Sequence, residues 1–315
     1  MQYVFLAGAC VCFSLQFIFT KLFQKRAGST LKAGIWNSLL SGTAAFVIFF
    51  IMNGFSISFS ASSVIFGLVY SVSGIVCTAA SVIGLSCTGV GLITFYTLLG
   101  GMVLPFAYGV VFLGERPSPL RWAGAALLII APAIPLLFSR GTNITQRDRQ
   151  ETNASVKQGR LKLMICAAAV FLSNGFVSIA TTAAMRAKDA VGERDFLLTA
   201  TLLKIAISLA MLAFLGLRQR SFLPFGQKTG RAAAPAVFLL LAAISCGYAV
   251  LNGAGSVFNL ICAGTMDASL QYPVISAACI ILSSLFGLLF FKEKPGRGDI
   301  LGIAVSIAGI VLSAF

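Results

Sequence analysis

The chain has 315 residues, of which 58% are hydrophobic and 10% charged, with a mean hydropathy of +0.95. Soluble domains carry roughly 25% charged residues, so a water-soluble globular fold is excluded. The net charge of +14 does not indicate a nucleic-acid partner, because the Lys and Arg residues lie between apolar runs and no basic face interleaved with aromatics occurs. No histidine is present, which removes histidine metal sites, histidine-based catalytic triads and imidazole proton relays. The eight cysteines sit in or beside apolar runs without metal-ligand spacing and read as small hydrophobes.

Apolar runs of about 20 residues each match the ~30 Å of a bilayer's hydrocarbon. They fall at 3–20, 34–52, 62–86, 90–113 and 119–138, then at 161–182, 196–217, 235–258, 268–291 and 299–315. Only Met1 and Gln2 precede the first run, so it is expected to be a retained span and not a cleaved leader. Lipid offers no backbone hydrogen bonds and the alternation of barrel strands is missing, so every span is expected to be helical. The fold class expected is an all-α integral membrane protein of ten transmembrane helices. The polar stretch from Ser139 to Arg160 reads as a linker, dividing the chain into 1–138 and 161–315. Its two N-x-S/T sequons, at Asn143 and Asn153, matter only if the linker faces a glycosylating lumen.

A shift of 178 residues brings the halves into register. Gly109 meets Gly287, Phe112 meets Phe290, Glu115 meets Glu293, Pro117 meets Pro295, Gly124 meets Gly302, and Tyr70 meets Tyr248. Shared small residues alone would not reproduce the Glu-x-Pro punctuation in register. Five spans per half is an odd number, so the second repeat is expected to enter the membrane inverted, the geometry used for alternating access.

With FLGERPSPLRWAGAALLIIA at 112–131, FFKEKPGRGDILGIAVSIAG at 290–309 and FSLQFIFTKLF at 13–23, the chain resembles the drug/metabolite transporter superfamily, in particular its ten-helix EamA-type members. The resemblance spans essentially the whole chain and implies two EamA-like five-helix repeats and solute transport, without naming a substrate. It also implies a family lysine at the end of the first helix, here Lys21. The first helix lacks the glutamate with which small multidrug-resistance relatives exchange protons for cationic drugs, so that coupling chemistry is not expected here.

The two Glu-x-Pro segments are read as hinges, with Glu115, Pro117, Glu293 and Pro295 in turns between helices. A turn carboxylate is cheap to solvate, so capping or pairing with Arg116 or Lys294 outweighs substrate contact. Small residues seven apart, Gly124 with Ala131 and Gly302 with Gly309, are expected at close helix contacts.

Polar groups inside spans carry most of the functional information. Lys204 is the only basic residue well inside a span, where a charge costs about 2.5–3.5 kcal/mol. It reads either as a substrate attractor or as a lysine snorkelling to the interface. Tyr70 and Tyr248 are expected to face a central cavity, with Asn252, Gln271, Tyr272 and Tyr96 as further substrate contacts and Trp36 and Asn37 as weaker candidates. Asp267, at the mouth of the ninth span, is the candidate coupling carboxylate, against a helix-capping or ion-pairing role.

Odd-numbered connections hold 17 of the 23 Lys and Arg residues and even-numbered ones 5, which places odd connections and the linker in the cytoplasm and both termini outside. The family more often has both termini inside. No ATP-binding loop of G-x-x-x-x-G-K-[ST] form occurs. The expected protein is a plasma-membrane, multi-pass secondary carrier, not an enzyme, moving a small neutral, zwitterionic or anionic metabolite. A membrane-embedded enzyme and a non-transporting scaffold or receptor are the alternatives. The partners expected are the small-molecule solute and the lipid bilayer, with no cofactor and no metal, and monomer and homodimer both stay open.

Overall fold

The computed structural model describes residues 2–84, 90–131, 134, 153–219, 234–291 and 297–313. All regular structure among them is helical. The helices are α1 (Gln2–Ala27), α2 (Leu31–Met52), α3 (Ala61–Gly84), α4 (Val90–Phe112) and α5 (Pro119–Ile130), followed by α6 (Asn153–Met185), α7 (Glu193–Gln219), α8 (Ala234–Thr265), α9 (Ala268–Phe291) and α10 (Arg297–Ser313). Six helices, α1, α2, α3, α6, α7 and α8, are long and apolar enough to cross a membrane.

Three boundaries differ from the sequence reading, the simplest being α8, which runs past residue 258 to Thr265. Helix α1 runs on past residue 20 through Lys21, Lys25 and Arg26 to Ala27, and stops where Gly28 takes φ +83°. Lysine and arginine are good helix formers, so basic residues at the end of an apolar run do not end its helix. Helix α6 begins at Asn153, inside the stretch read as linker, for the same reason: NASVKQGR contains no proline. Residues 139–152, with Asn143, lie outside the described residues, as do Glu293 and Pro295.

Local chemistry fixes other ends. The Thr30 side chain accepts from the Ala33 N–H at 3.1 Å to start α2, and Ser118 accepts from Arg121 N–H at 3.2 Å with Pro119 opening α5. At the end of α4, Gly114 has φ +67°, a conformation that side chains rarely adopt, and it turns the chain back under the helix.

The bundle is apolar outside, and its interior buries polar groups among apolar clusters. Val64, Ile65, Leu68 and Val72 of α3 are exposed, while Ser71 is fully buried and donates to the Gly67 and Ala200 carbonyls, both at 2.6 Å. In water this distribution would be inverted; in lipid it is what burial of polar groups requires. Helix α1 packs on α8 and α3 on α6; α4 packs on α6 and α1 on α9; α3 packs on α7 and α2 on α8. Helices α2 and α7, α4 and α9, and α5 and α10 also pack directly together.

Missing side chains make several of these contacts close. A Cβ on Gly34 would stand 2.6 Å from the Ala79 Cα, one on Gly175 would stand 2.8 Å from the Gly100 carbonyl oxygen, and one on Gly100 would run into the Phe171 backbone. The α2–α3 and α4–α6 contacts therefore depend on glycine. Gly124 of α5, Ala131 at its C-cap, and Gly302 and Gly309 of α10 are all buried, and α5 and α10 pack together.

Candidate functional site: a central polar cavity and the clasp at one end

A cavity of about 190 Å³ lies between α1, α3 and α4 of the first half and α6, α8 and α9 of the second, with Lys204 contributed by α7. Its polar lining includes Gln16, Thr97, Asn174, Ser178, Asn252 and Asn259, and its apolar lining includes Phe13, Phe17, Leu98, Val177 and Ile275. Lys21 also reaches it, and no carboxylate occurs among the described residues of the lining.

Lys204 lies a little under halfway along α7, with its aliphatic stem beside α2, where a Cβ on Gly42 would meet its Cδ at 3.6 Å. The ammonium is within electrostatic reach of Cys77 of α3, another lining residue. Among the described residues no acidic side chain forms an ion pair with Lys204. Tyr70 and Tyr248 both line the cavity. The Tyr70 ring meets Phe196 edge to face at 5.8 Å, and its hydroxyl lies 3.5 Å from Ser256 Oγ. Asn252 donates to Gln16 Oε1 at 2.7 Å, tying α8 to α1 across the halves. The Tyr272 hydroxyl donates to the Ser178 carbonyl at 2.9 Å and lies 2.9 Å from Thr182 Oγ1, joining α9 to α6.

The remaining sequence candidates are not among the residues that line the cavity. Gln271 is fully buried and donates to the Asn259 carbonyl at 2.7 Å and to Asn259 Oδ1 at 2.8 Å, within the second half. Tyr96 packs against Ala80, Ile93 and Val170. Trp36 meets Phe238 edge to face at 5.6 Å. Asn37 accepts from Ser245 Oγ at 3.1 Å, a contact between α2 and α8. Helix α2 is apolar nearly all round, so its periodicity does not tell which polar residue turns inward.

Glu115 lies in a turn and caps and pairs, but with partners other than those read from the sequence. It is only 7% exposed, not a solvated turn residue. Its two carboxylate oxygens accept from the Ala268 and Ser269 N–H groups, each at 3.0 Å, so it caps the start of α9 from the other half of the chain. Its charged partner is Arg186, at 3.4 Å, instead of the neighbouring Arg116. Arg186 also donates to the Met266 carbonyl at 2.9 Å. Asp267 pairs with Arg121 at 2.8 Å, its side chain 51% exposed, and does not line the cavity. Pro117 lies between Glu115 and the Ser118 cap.

These contacts form a clasp at one end of the bundle, and others extend it. Asp195 accepts from Asn53 Nδ2 at 2.8 Å and Ser58 N–H at 3.0 Å, and Arg194 donates to the Met52 carbonyl at 3.1 Å. Asp189, in the 186–192 turn, accepts from Ser62 N–H at 3.1 Å, which holds its carboxyl below the usual carboxylate range. Sequence reasoning missed Arg186, whose only signal was its place in a basic connection, and the serines and threonines of α6, whose hydroxyls are unremarkable as residue types.

No family model and no curated protein matches the chain. Among solved structures, one described only as the crystal structure of a protein is similar to it, with a TM-score of 0.66, 14% sequence identity, and coverage of 99% of this chain and 96% of that chain. At that identity the likeness concerns the fold alone, and it extends over nearly the full length of both chains.

Proposed function

We propose that the chain is a secondary carrier of the drug/metabolite transporter type, of the EamA kind, moving a small neutral, zwitterionic or anionic solute through the central cavity by alternating access. The observation that carries this reading is the cavity itself: polar groups drawn from α1, α3 and α4 and from α6, α8 and α9 converge inside a bundle whose exterior is apolar. Desolvating so many donors and acceptors is costly unless water or a solute occupies the space between them.

Ten spans in two inverted repeats are part of the same reading, supported by the pattern of contacts. Exchanging the halves, α1 with α6 through α5 with α10, turns the α1–α8 contact into α6–α3, α4–α6 into α9–α1, and α3–α7 into α8–α2. Ser276 Oγ donates to the Leu98 carbonyl at 3.2 Å, and these two residues are 178 apart, the offset of the sequence repeat. Positions related by a pseudo-two-fold axis touch each other only near that axis. The clasp is then the closed gate of the captured state. The basic linker end faces the cytoplasm by the charge count, in a plasma membrane.

The test is reconstitution of the purified chain into liposomes with a broad metabolite panel, with and without a pH gradient. Saturable uptake of at least one solute, abolished by denaturing the protein, is the expected result. Uptake no faster than in empty liposomes across the panel contradicts the reading.

A further inference from the structure

Lys204 lines the cavity, as does Lys21, and among the described residues no acidic side chain lines it or forms an ion pair with Lys204. Lys204 sits deep in the bundle, where an ammonium needs water, a partner or a ligand. The aromatic and aliphatic part of the lining, Phe13, Phe17, Tyr70, Tyr248 and Ile275, is too extensive for a site that holds only a hydrated inorganic ion. Size narrows the choice further: an engineered cavity of ~150 Å³ takes a benzene molecule, and this one measures about 190 Å³.

We infer that the solute is a small organic monoanion of about single-ring size, its carboxylate paired with Lys204 and its apolar body lying against the Phe and Tyr side chains. This rests on the reading of the cavity as a carrier's solute site. A cation would meet Lys204 with like charge and find no counter-charge among the described residues of the lining. A zwitterion would satisfy Lys204 but leave its own ammonium without a carboxylate, whereas a neutral solute would leave the lysine unmatched. An organic monoanion satisfies both the charge and the apolar wall, and the neutral amides and hydroxyls, such as Asn252 and Ser178, complete the carboxylate's hydrogen bonds.

The test uses the purified full-length chain in detergent and three probes of similar shape and different charge: benzoate, benzyl alcohol and benzylamine. Thermal unfolding is followed as each is titrated. Benzoate is expected to raise the unfolding temperature in a saturable manner, the other two by less than half as much. Lys204→Gln should weaken benzoate binding by about tenfold or more, because a charge-assisted contact is lost. Lys204→Arg should keep part of the affinity. If the Gln variant does not fold, protection of Cys77 from maleimide by benzoate in the unaltered chain reads the same contact, because Cys77 lines the cavity near Lys204. The inference is overturned if benzyl alcohol or benzylamine stabilises as well as benzoate, if benzoate neither stabilises nor protects, or if a folded Gln variant binds it unchanged. Uptake of other solutes without benzoate binding would leave the carrier standing and remove the anion. Benzoate binding in a chain that transports nothing would do the reverse.

Discussion

The clasp and the cavity both hold charged side chains between helices and differ in how completely those charges are matched. At the clasp, Glu115 holds two backbone N–H groups and stands 3.4 Å from Arg186, and Asp267 holds Arg121. In the cavity, Lys204 has no acidic partner among the described residues. Matched charges between halves make a contact that can hold one arrangement of the bundle. An unmatched charge in a cavity leaves the matching to something that arrives. The contrast separates a structural device from a binding device without reference to residue identity, since glutamate is elsewhere a common ligand and lysine a common anchor.

The largest effect expected is on the frame that carries both regions. Gly100→Leu places a side chain into the Phe171 backbone at the α4–α6 contact and should destabilise the fold by about 3 kcal/mol or more, read as loss of monodisperse protein after solubilisation. A well-folded Leu variant would mean that this close contact is dispensable. At the clasp, Glu115→Ala removes two charge-assisted hydrogen bonds at the start of α9 and leaves Arg186 with only the Met266 carbonyl among these partners. A cost of about 2–3 kcal/mol to the clasped arrangement follows, and thiol labelling of Ser178→Cys from the clasp end should rise severalfold. Unchanged labelling would show that Glu115 does not hold that end shut.

Smaller effects sharpen the boundary between the regions. Tyr272→Phe removes the hydroxyl shared with Ser178 and Thr182, a loss of about 1 kcal/mol detectable as a lower unfolding temperature. Arg121→Ala breaks a half-exposed pair with Asp267 and should cost no more than about 1 kcal/mol. An effect on solute coupling from that variant, at matched stability, would return Asp267 to the coupling role read from the sequence. The Asp189 contact should be pH-sensitive. Because its folded carboxyl is held below the ordinary range, its contribution is present above the unfolded carboxylate's pKa and lost as pH falls through the lower folded value. Asp189→Asn should flatten that acid limb of the stability profile.

The sequence carried the helices well and the cross-bundle contacts poorly. Proline and glycine punctuation placed the α4–α5 turn, and the 178-residue register picked out Tyr70 and Tyr248, which line the same cavity. Lys204 was legible because a lysine inside an apolar run is rare and costly. The capping and pairing read for Glu115 were assigned local partners because nothing local announces that the start of α9, more than 150 residues away, will lie on top of it. That Trp36, Asn37 and Tyr96 do not line the cavity has a related reason. In a helix surrounded by lipid and other helices, apolar residues occupy every face, and the period that marks an interior face in soluble helices is lost.

The central claim is that one cavity is reached from one end of the bundle at a time, and Cys77 reports it directly. With the other cysteines replaced by alanine or serine, Cys77 is labelled in sealed, oriented vesicles by a membrane-impermeant thiol reagent applied to one side or the other. The account predicts labelling from the linker end while the clasp is intact, and a shift toward the clasp end when Glu115→Ala releases it. Labelling from neither end, or the same one-sided labelling whether or not the clasp is present, would contradict alternating access through this cavity.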